Sequence, residues 1–121
     1  IIYSGKLSKN NNYDLIINIS EDGWFGKSIG PHQHFVHSVF RAIEEGKSII
    51  RSSNNGISAI IDPKGKISKI NKSTTSGVLS IYGFEKLSEK TVFSSYGRNN
   101  IFFYLVLIYI TLIFFLIRQG R

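Results

Sequence analysis

The run Ile101–Ile117 constrains the fold of this chain more than any other feature, because it reads IFFYLVLIYITLIFFLI and carries no charge. At a helical rise of about 1.5 Å per residue, the run spans about 26 Å, close to the apolar thickness of a bilayer. Aromatic residues stand near both ends, as they do at membrane interfaces. The alternative is a helix buried in a soluble core, but the run is not amphipathic. The sequence therefore predicts a transmembrane helix.

The charges around this run predict its orientation. Arg118 and Arg121 follow it, whereas only Arg98 precedes it closely. Because positive residues favour the cytoplasmic side, we expect a cytoplasmic C-terminus and a non-cytoplasmic soluble part. The predicted organisation is a soluble part over residues 1–84, a linker over 85–100, the membrane helix over 101–117 and a short basic tail over 118–121.

Apolar periodicity predicts an α/β fold for the soluble part. Tyr13–Ser20 is a continuous apolar run typical of a strand buried on both faces. A helix is expected from Pro31 to a glycine stop at Gly46. Its apolar face would carry Phe35, Val36, Val39, Phe40 and Ile43, and Arg41, Glu44 and Glu45 would lie largely on the other side. Arg41 and Glu44 would form a surface pair, or one of them would reach back to support the loop. Further strands are expected over 47–53, 57–62, 66–70 and 77–83, with turns at Asn54–Gly56 and Pro63–Gly65.

A glycine-rich loop between the first strand and the helix concentrates the unusual residues. The stretch Glu21–Phe35 holds the single Trp of the chain and two of its three His residues. Trp24 and Phe25 in such a loop either pack into a core or present a surface for a substrate with an apolar part.

Several classes of site are disfavoured by composition. The absence of cysteine excludes a disulfide framework, a thiolate zinc site and a cysteine nucleophile within these residues. His32, His34 and His37 do not form an H-E-x-x-H pattern, so we expect no metal and no other cofactor. The net charge of +7 is scattered rather than clustered, and we expect no nucleic-acid partner.

Motifs in this loop and after it resemble those of the bacterial apolipoprotein N-acyltransferases. That family typically reads N-x-S-N-D-A-W-F-G and then S-x-G-P-x-Q-H, and this chain reads NISEDGWFG and then SIGPHQH from Asn18 to His34. Further matches are Arg41–Glu44, Arg51–Ala59, Ile61–Gly65, Gly77–Leu79 and the closing apolar helix. Glu21 stands where the family usually has Asn, and Gly23 stands where it has Ala.

The resemblance implies part of a nitrilase-like αββα sandwich facing the periplasm, anchored in the bacterial inner membrane. It implies a Glu-Lys-Cys catalytic set, in which the thiolate takes an acyl group from a phospholipid and passes it to the N-terminal amine of an apolipoprotein.

None of those three catalytic residues can be placed in this chain. In the family, Tyr-Glu and then two apolar residues usually follow the Cys, and Ile1 and Ile2 resemble those two apolar residues. The resemblance therefore places the nucleophile, and its Glu and Lys partners, upstream of Ile1. The chain also contains no Met. We expect a piece of a longer enzyme that is inactive alone and folds poorly by itself.

By the same resemblance, the loop and its supports are the substrate-binding residues. They are Trp24, Phe25, Gly26, Gln33, His34, Arg51, Asn54 and Asn55. Two rival functions are a membrane-anchored nitrilase-type amidase acting on C–N bonds and a non-catalytic membrane-anchored module.

Overall fold

A computed structural model describes Leu7, residues 12–72 and residues 76–119. In chain order, the described elements are β1 (Leu15–Glu21), a short 3-10 turn (Gly23–Phe25), α1 (Gly30–Glu45), β2 (Ser48–Asn54), β3 (Ser58–Ile61), β4 (Ile67–Asn71) and α2 (Val92–Gln119). The predicted α/β class is confirmed. A four-stranded sheet carries one helix, which matches one β layer and one α layer of the predicted sandwich, and a long apolar helix follows.

The resemblance places the start of the chain just after the family's nucleophile. Ile1 lies outside the described residues. The expectation that the catalytic Cys, Glu and Lys lie upstream of Ile1 therefore stays a prediction.

The sheet combines one parallel and two antiparallel pairings in the order β1-β2-β3-β4. β1 and β2 are parallel, because α1 carries the chain back across the sheet between them. Their register pairs Asn18 with Arg51 and Glu21 with Asn54. Polar residues at the carboxyl ends of both strands are thereby brought to one edge of the sheet.

The apolar core lies between α1 and one face of the sheet. It contains Ile16, Phe35, Ala42, Ile49, Ile57, Ala59 and Ile61. The predicted turns are present: Asn55 takes a positive φ of 54°, and Gly46 ends α1 in the left-handed conformation with φ 65° and ψ 34°. Local turn chemistry was therefore predicted correctly.

The prediction that the first strand is buried on both faces is wrong in this structure. Ile17 and Ile19 are 68% and 84% exposed. They point to the face opposite α1, and within the described residues α1 covers only the face that carries Ile16 and Asn18. Apolar composition thus predicted the strand correctly but not its environment.

The predicted faces of α1 are also wrong, apart from Phe35 and Val39, which lie at the core. Val36, Phe40 and Ile43 are exposed, while Arg41 and Glu45 are almost completely buried. The inward face of the helix is polar because Tyr13 donates a hydrogen bond of 2.7 Å to Glu45, and Arg41 lies 3.5 Å from the same carboxylate. Desolvation, followed by the hydrogen bond to Glu45, raises the pKa of the Tyr13 hydroxyl. The surface pair expected between Arg41 and Glu44 exists at 3.1 Å, but Arg41 is a buried member of it.

The strand predicted over 77–83 is not formed. Residues 76–85 are irregular, and Val78 and Tyr82 are 91% and 99% exposed. The segment is held instead by side-chain contacts, such as the 2.6 Å hydrogen bond from Lys69 Nζ to the Ser80 carbonyl. A β-rich sequence without a paired neighbour does not form a ladder.

The start of α2 lies beside the C-terminal end of α1 in space. The Thr91 hydroxyl donates to the Glu44 carbonyl and accepts a 3.0 Å hydrogen bond from the Ser94 amide, as an N-cap does. Gly97 interrupts the helix with φ 73° and ψ 163°. By length and composition α2 is apolar enough to cross a membrane, and it starts at Val92, inside the segment predicted as a linker.

Candidate functional site

The loop after β1 presents Trp24 and packs Phe25. Trp24 is 77% exposed, whereas Phe25 is half-buried and its ring lies so close to Gly30 that a Cβ at that glycine would be 2.4 Å from a ring carbon. The Phe25 ring also lies 5.9 Å from the His34 ring. Each of the two interpretations therefore fits one member of the pair. Phe25 packs against α1, and Trp24 is a surface residue in the described part of the chain.

Gly26 ends the turn in a conformation that favours glycine, with φ 57° and ψ −142°. Its amide donates a 3.2 Å hydrogen bond to the Gly23 carbonyl. The backbone thus changes direction directly after the aromatic pair.

A buried carboxylate, Asp22, holds the base of the loop. Asp22 is completely buried, and two side chains contact each of its oxygens. Oδ1 accepts from Ser20 Oγ at 2.7 Å and is 2.7 Å from His34 Nδ1. Oδ2 accepts from Arg51 Nη2 at 2.7 Å and from Ser53 Oγ at 2.8 Å. The carboxylate therefore joins β1, α1 and β2 at one point.

Arg51 is the cationic partner of this carboxylate and is itself buried. Its Nε donates to the Ile57 carbonyl at 3.1 Å. Its Nη1 donates to Asn18 Oδ1 at 2.5 Å and to Ser38 Oγ at 3.1 Å. Because a buried ion pair is stable only when its remaining donors are also satisfied, these bonds are part of the same unit as Asp22. We call Asp22, His34, Arg51, Ser20 and Ser53 the carboxylate cluster.

The cluster lowers the pKa of Asp22 to about 2. Burial acts in the opposite direction and raises this pKa, but hydrogen bonds from Ser20, Ser53 and His34, together with the Arg51 charge, outweigh burial. The carboxylate is therefore ionised at neutral pH and acts only as an acceptor.

The close approach of Gly56 completes the cluster. A Cβ at this position would lie 2.0 Å from Asp22 Oδ2 and 2.2 Å from Ser53 Oγ. Only glycine leaves room for the buried carboxylate at this turn, which explains why the Asn-Asn-Gly turn ends in glycine here.

Glu21 ties the outer rim of the loop to the turn after β2. Its carboxylate accepts from the Gly23 amide at 2.7 Å and from Asn54 Nδ2 at 2.6 Å. The Asn54 hydrogen bond, followed by the Gly23 amide, lowers the Glu21 pKa. A Cβ at Gly23 would lie 2.6 Å from Glu21 Oε1. The two departures from the family pattern, Glu21 and Gly23, are therefore in contact, and the alanine usual in the family would crowd the Glu21 carboxylate in this position.

The structure places the sequence-predicted site residues in different parts of the site. His34 and Arg51 meet at Asp22, and Asn54 and Asn55 lie at the rim beside Glu21 and Gly23. Gln33 is exposed and lies with Phe25, Gly30, His34 and His37 around a cleft of about 150 Å³. Within residues 7, 12–72 and 76–119, there is no group of three or more side chains that could hold a metal ion.

Sequence reasoning missed five members of this arrangement: Asn18, Ser20, Asp22, Ser38 and Ser53. A signal was present, because Asn18, Ser20 and Asp22 alternate along one strand, and Arg51 and Ser53 alternate along the next. Alternating polar residues share one face of a strand. That the two faces coincide depends on the parallel register of β1 and β2.

Comparison with known proteins supports a family for this chain. Residues 7–82 match the family model described as carbon-nitrogen hydrolase. The chain is also similar to proteins named apolipoprotein N-acyltransferase. Identity is 46% to the protein of Rickettsia typhi, over 86% of this chain and 21% of the relative. It is 45% to that of Rickettsia prowazekii, over 91% of this chain and 22% of the relative. The protein of Pseudomonas putida is 56% identical over 45% of this chain and 11% of the relative. The chain thus spans about a fifth of the length of the first two relatives.

Proposed function

Because the chain belongs to the carbon-nitrogen hydrolase family, we propose that it is the C-terminal part of a membrane apolipoprotein N-acyltransferase. The full enzyme moves a fatty acyl group from a phospholipid to the N-terminal diacylglyceryl-cysteine of lipoproteins through a cysteine thioester. One finding carries this proposal: the similarity to proteins of that name extends over 86–91% of the chain.

The geometry supports a binding role for the loop. Trp24 is an exposed aromatic on a loop whose base is held by a buried ion pair. A large apolar side chain on an anchored loop suits a substrate with acyl chains, because less ordering of the loop is needed on binding. These residues contain no cysteine, so the proposal places the thiolate and its Glu and Lys partners upstream of Ile1 in the longer protein, and these 121 residues alone would be inactive.

We also propose the placement of the chain in the cell. The soluble part, residues 1–84, faces the periplasm, the segment over 85–100 connects it to the bilayer, and 101–117 crosses the inner membrane, with the tail 118–121 in the cytoplasm. The length and apolar composition of α2 agree with a span. The partners are then the bilayer, a phospholipid donor and an apolipoprotein acceptor.

The test is acyl transfer by the full-length protein in phospholipid vesicles. A synthetic diacylglyceryl-cysteine peptide is added, and mass spectrometry follows the gain of one amide-linked acyl chain. A variant whose proposed nucleophilic cysteine is replaced by alanine is the control. Acylated peptide formed by the wild type and not by the alanine variant supports the proposal. Release of ammonia from amides without acylation would favour a membrane-anchored amidase, and neither activity would favour a non-catalytic module.

A further inference from the structure

His34 uses one ring nitrogen inside the carboxylate cluster and leaves the other available. Nδ1 is 2.7 Å from Asp22 Oδ1, and its contacts with Ser20 Oγ and Arg51 Nη2 are both longer, at 3.4 Å. An ionised carboxylate only accepts, so Nδ1 carries the proton that it donates to Asp22. In the neutral ring, Nε2 is then an acceptor. No residue in the described part of the chain hydrogen-bonds to Nε2.

The cleft beside this ring is small and of mixed polarity. It has a volume of about 150 Å³, the space of roughly five water molecules. Phe25 and Gly30 form an apolar wall, Gln33, His34 and His37 form a polar one, and no carboxylate from the described residues lines the cleft. The ring of the exposed Trp24 lies 5.4 Å from that of Phe25. The cleft therefore accepts a small polar group whose apolar continuation can extend along Trp24.

We propose that this cleft binds an N–H or O–H donor group of the substrate, with His34 Nε2 as the hydrogen-bond acceptor. The inference rests on the proposed function. Two substrates of that reaction carry such a group: the lipopeptide has a terminal amine, and the phospholipid has a hydroxyl or amine in its headgroup. Asp22 fixes the tautomer and the orientation of the ring, and Arg51 fixes Asp22.

Two substitutions separate binding from support. In His34→Asn, the short amide reaches the position of Nδ1 and can still donate to Asp22, but nothing replaces Nε2. In His34→Gln, the longer amide places a polar group near the position of Nε2 and gives up the bond to Asp22. His32→Asn is the matched control, because His32 is exposed on the same helix and does not line the cleft.

The experiment measures the two half-reactions of the full-length protein in vesicles, together with its thermal unfolding. Thioester formation is followed from phospholipid, and transfer is followed by adding the diacylglyceryl-cysteine peptide to preformed thioester. We expect His34→Asn to unfold like the wild type and to lose roughly tenfold in one half-reaction, the value of about one hydrogen bond. A loss in transfer identifies the amine as the bound group, and a loss in thioester formation identifies the headgroup.

The outcomes that would overturn the inference are distinct from those that concern the proposed function. If the wild type is active and His34→Asn matches it and His32→Asn in both half-reactions, His34 does not contact substrate. The inference also fails if activity follows unfolding temperature in His34→Asn and His34→Gln alike, since the ring would then act only as support. If the wild type forms no thioester and acylates no peptide, the proposed function fails and this inference with it.

Discussion

The buried ion pair beneath the loop makes a strong prediction for Asp22→Asn. An amide offers one acceptor oxygen where the carboxylate offers two, so its NH₂ group must face donors on one side of the cluster. Arg51, which is itself completely buried in its side chain, loses its counter-charge. Removing one partner of a buried pair typically costs about 3–5 kcal/mol. We expect the strand ends around Asp22 and Asn54 to open more easily by that amount.

Amide hydrogen exchange on the full-length protein measures this opening directly. The Asp22 amide donates a 3.0 Å hydrogen bond to the Asn54 carbonyl, and exchange of such an amide reports the free energy of local opening. A loss of about 3–5 kcal/mol corresponds to exchange faster by roughly a hundred to several thousand times. Peptides that cover the distant strand β4 report whether the effect remains local.

The same chemical change at an exposed site is the control. Asp14 lies 3.0 Å from Lys86, and both side chains are more than half exposed. Because a surface pair contributes at most about 1 kcal/mol, Asp14→Asn is expected to leave exchange at Asp22 unchanged. Equal exchange at the Asp22 amide in Asp22→Asn and Asp14→Asn would refute the argument that the ion pair holds the loop.

Three further predictions concern the cluster and the loop. Gly56→Ala forces a Cβ against Asp22, so thermal unfolding of the full-length protein should occur at a lower temperature. Gly83→Ala, with no atom within 4 Å of its Cβ, should leave the unfolding temperature unchanged. Equal unfolding temperatures of the two variants would contradict the close approach. The folded-state pKa of Asp22 is about 2 and its ordinary value is 3.8, so a contribution of about 2 kcal/mol is present above pH 4 and is lost as pH falls from about 4 to 2. The difference in the free energy of unfolding between wild type and Asp22→Asn should therefore narrow by about 2 kcal/mol over that interval, and a constant difference would exclude the carboxylate as the cause. Trp24→Ala should slow acyl transfer more than it lowers folded yield, because the side chain is exposed; a fall in yield alone would show that it packs.

The sequence predicted the elements of the fold better than their surroundings. The helix from Pro31 to Gly46, the strands on either side of Asn54–Gly56 and the apolar C-terminal run were each recognisable from spacing and turn chemistry, and each exists. The expectations about burial failed on both β1 and α1: Ile17 and Ile19 are exposed, for example, and Arg41 is buried. Periodicity identifies an element, but burial depends on which other element packs against each side.

The site shows the same division. Resemblance singled out His34 and Arg51, but nothing local in the sequence states that both meet Asp22. Their meeting requires a parallel register that places Arg51 opposite Asn18 and a helix whose first turns cross the end of β1. The residues Ser20 and Ser53 looked like ordinary strand ends and are donors to the buried carboxylate.

What the sequence by itself determined, then, were the features set by neighbouring residues: a helix, strands, glycine turns and a long apolar segment. Steric limits on φ and ψ and the alternation of side chains act over a few residues, so they can be read directly from the chain. Only the tertiary structure decided that the polar face of α1 turns inward and that a carboxylate, a guanidinium and an imidazole share one buried point. A buried charge is stable only where partners from several elements converge, and that convergence is a property of packing.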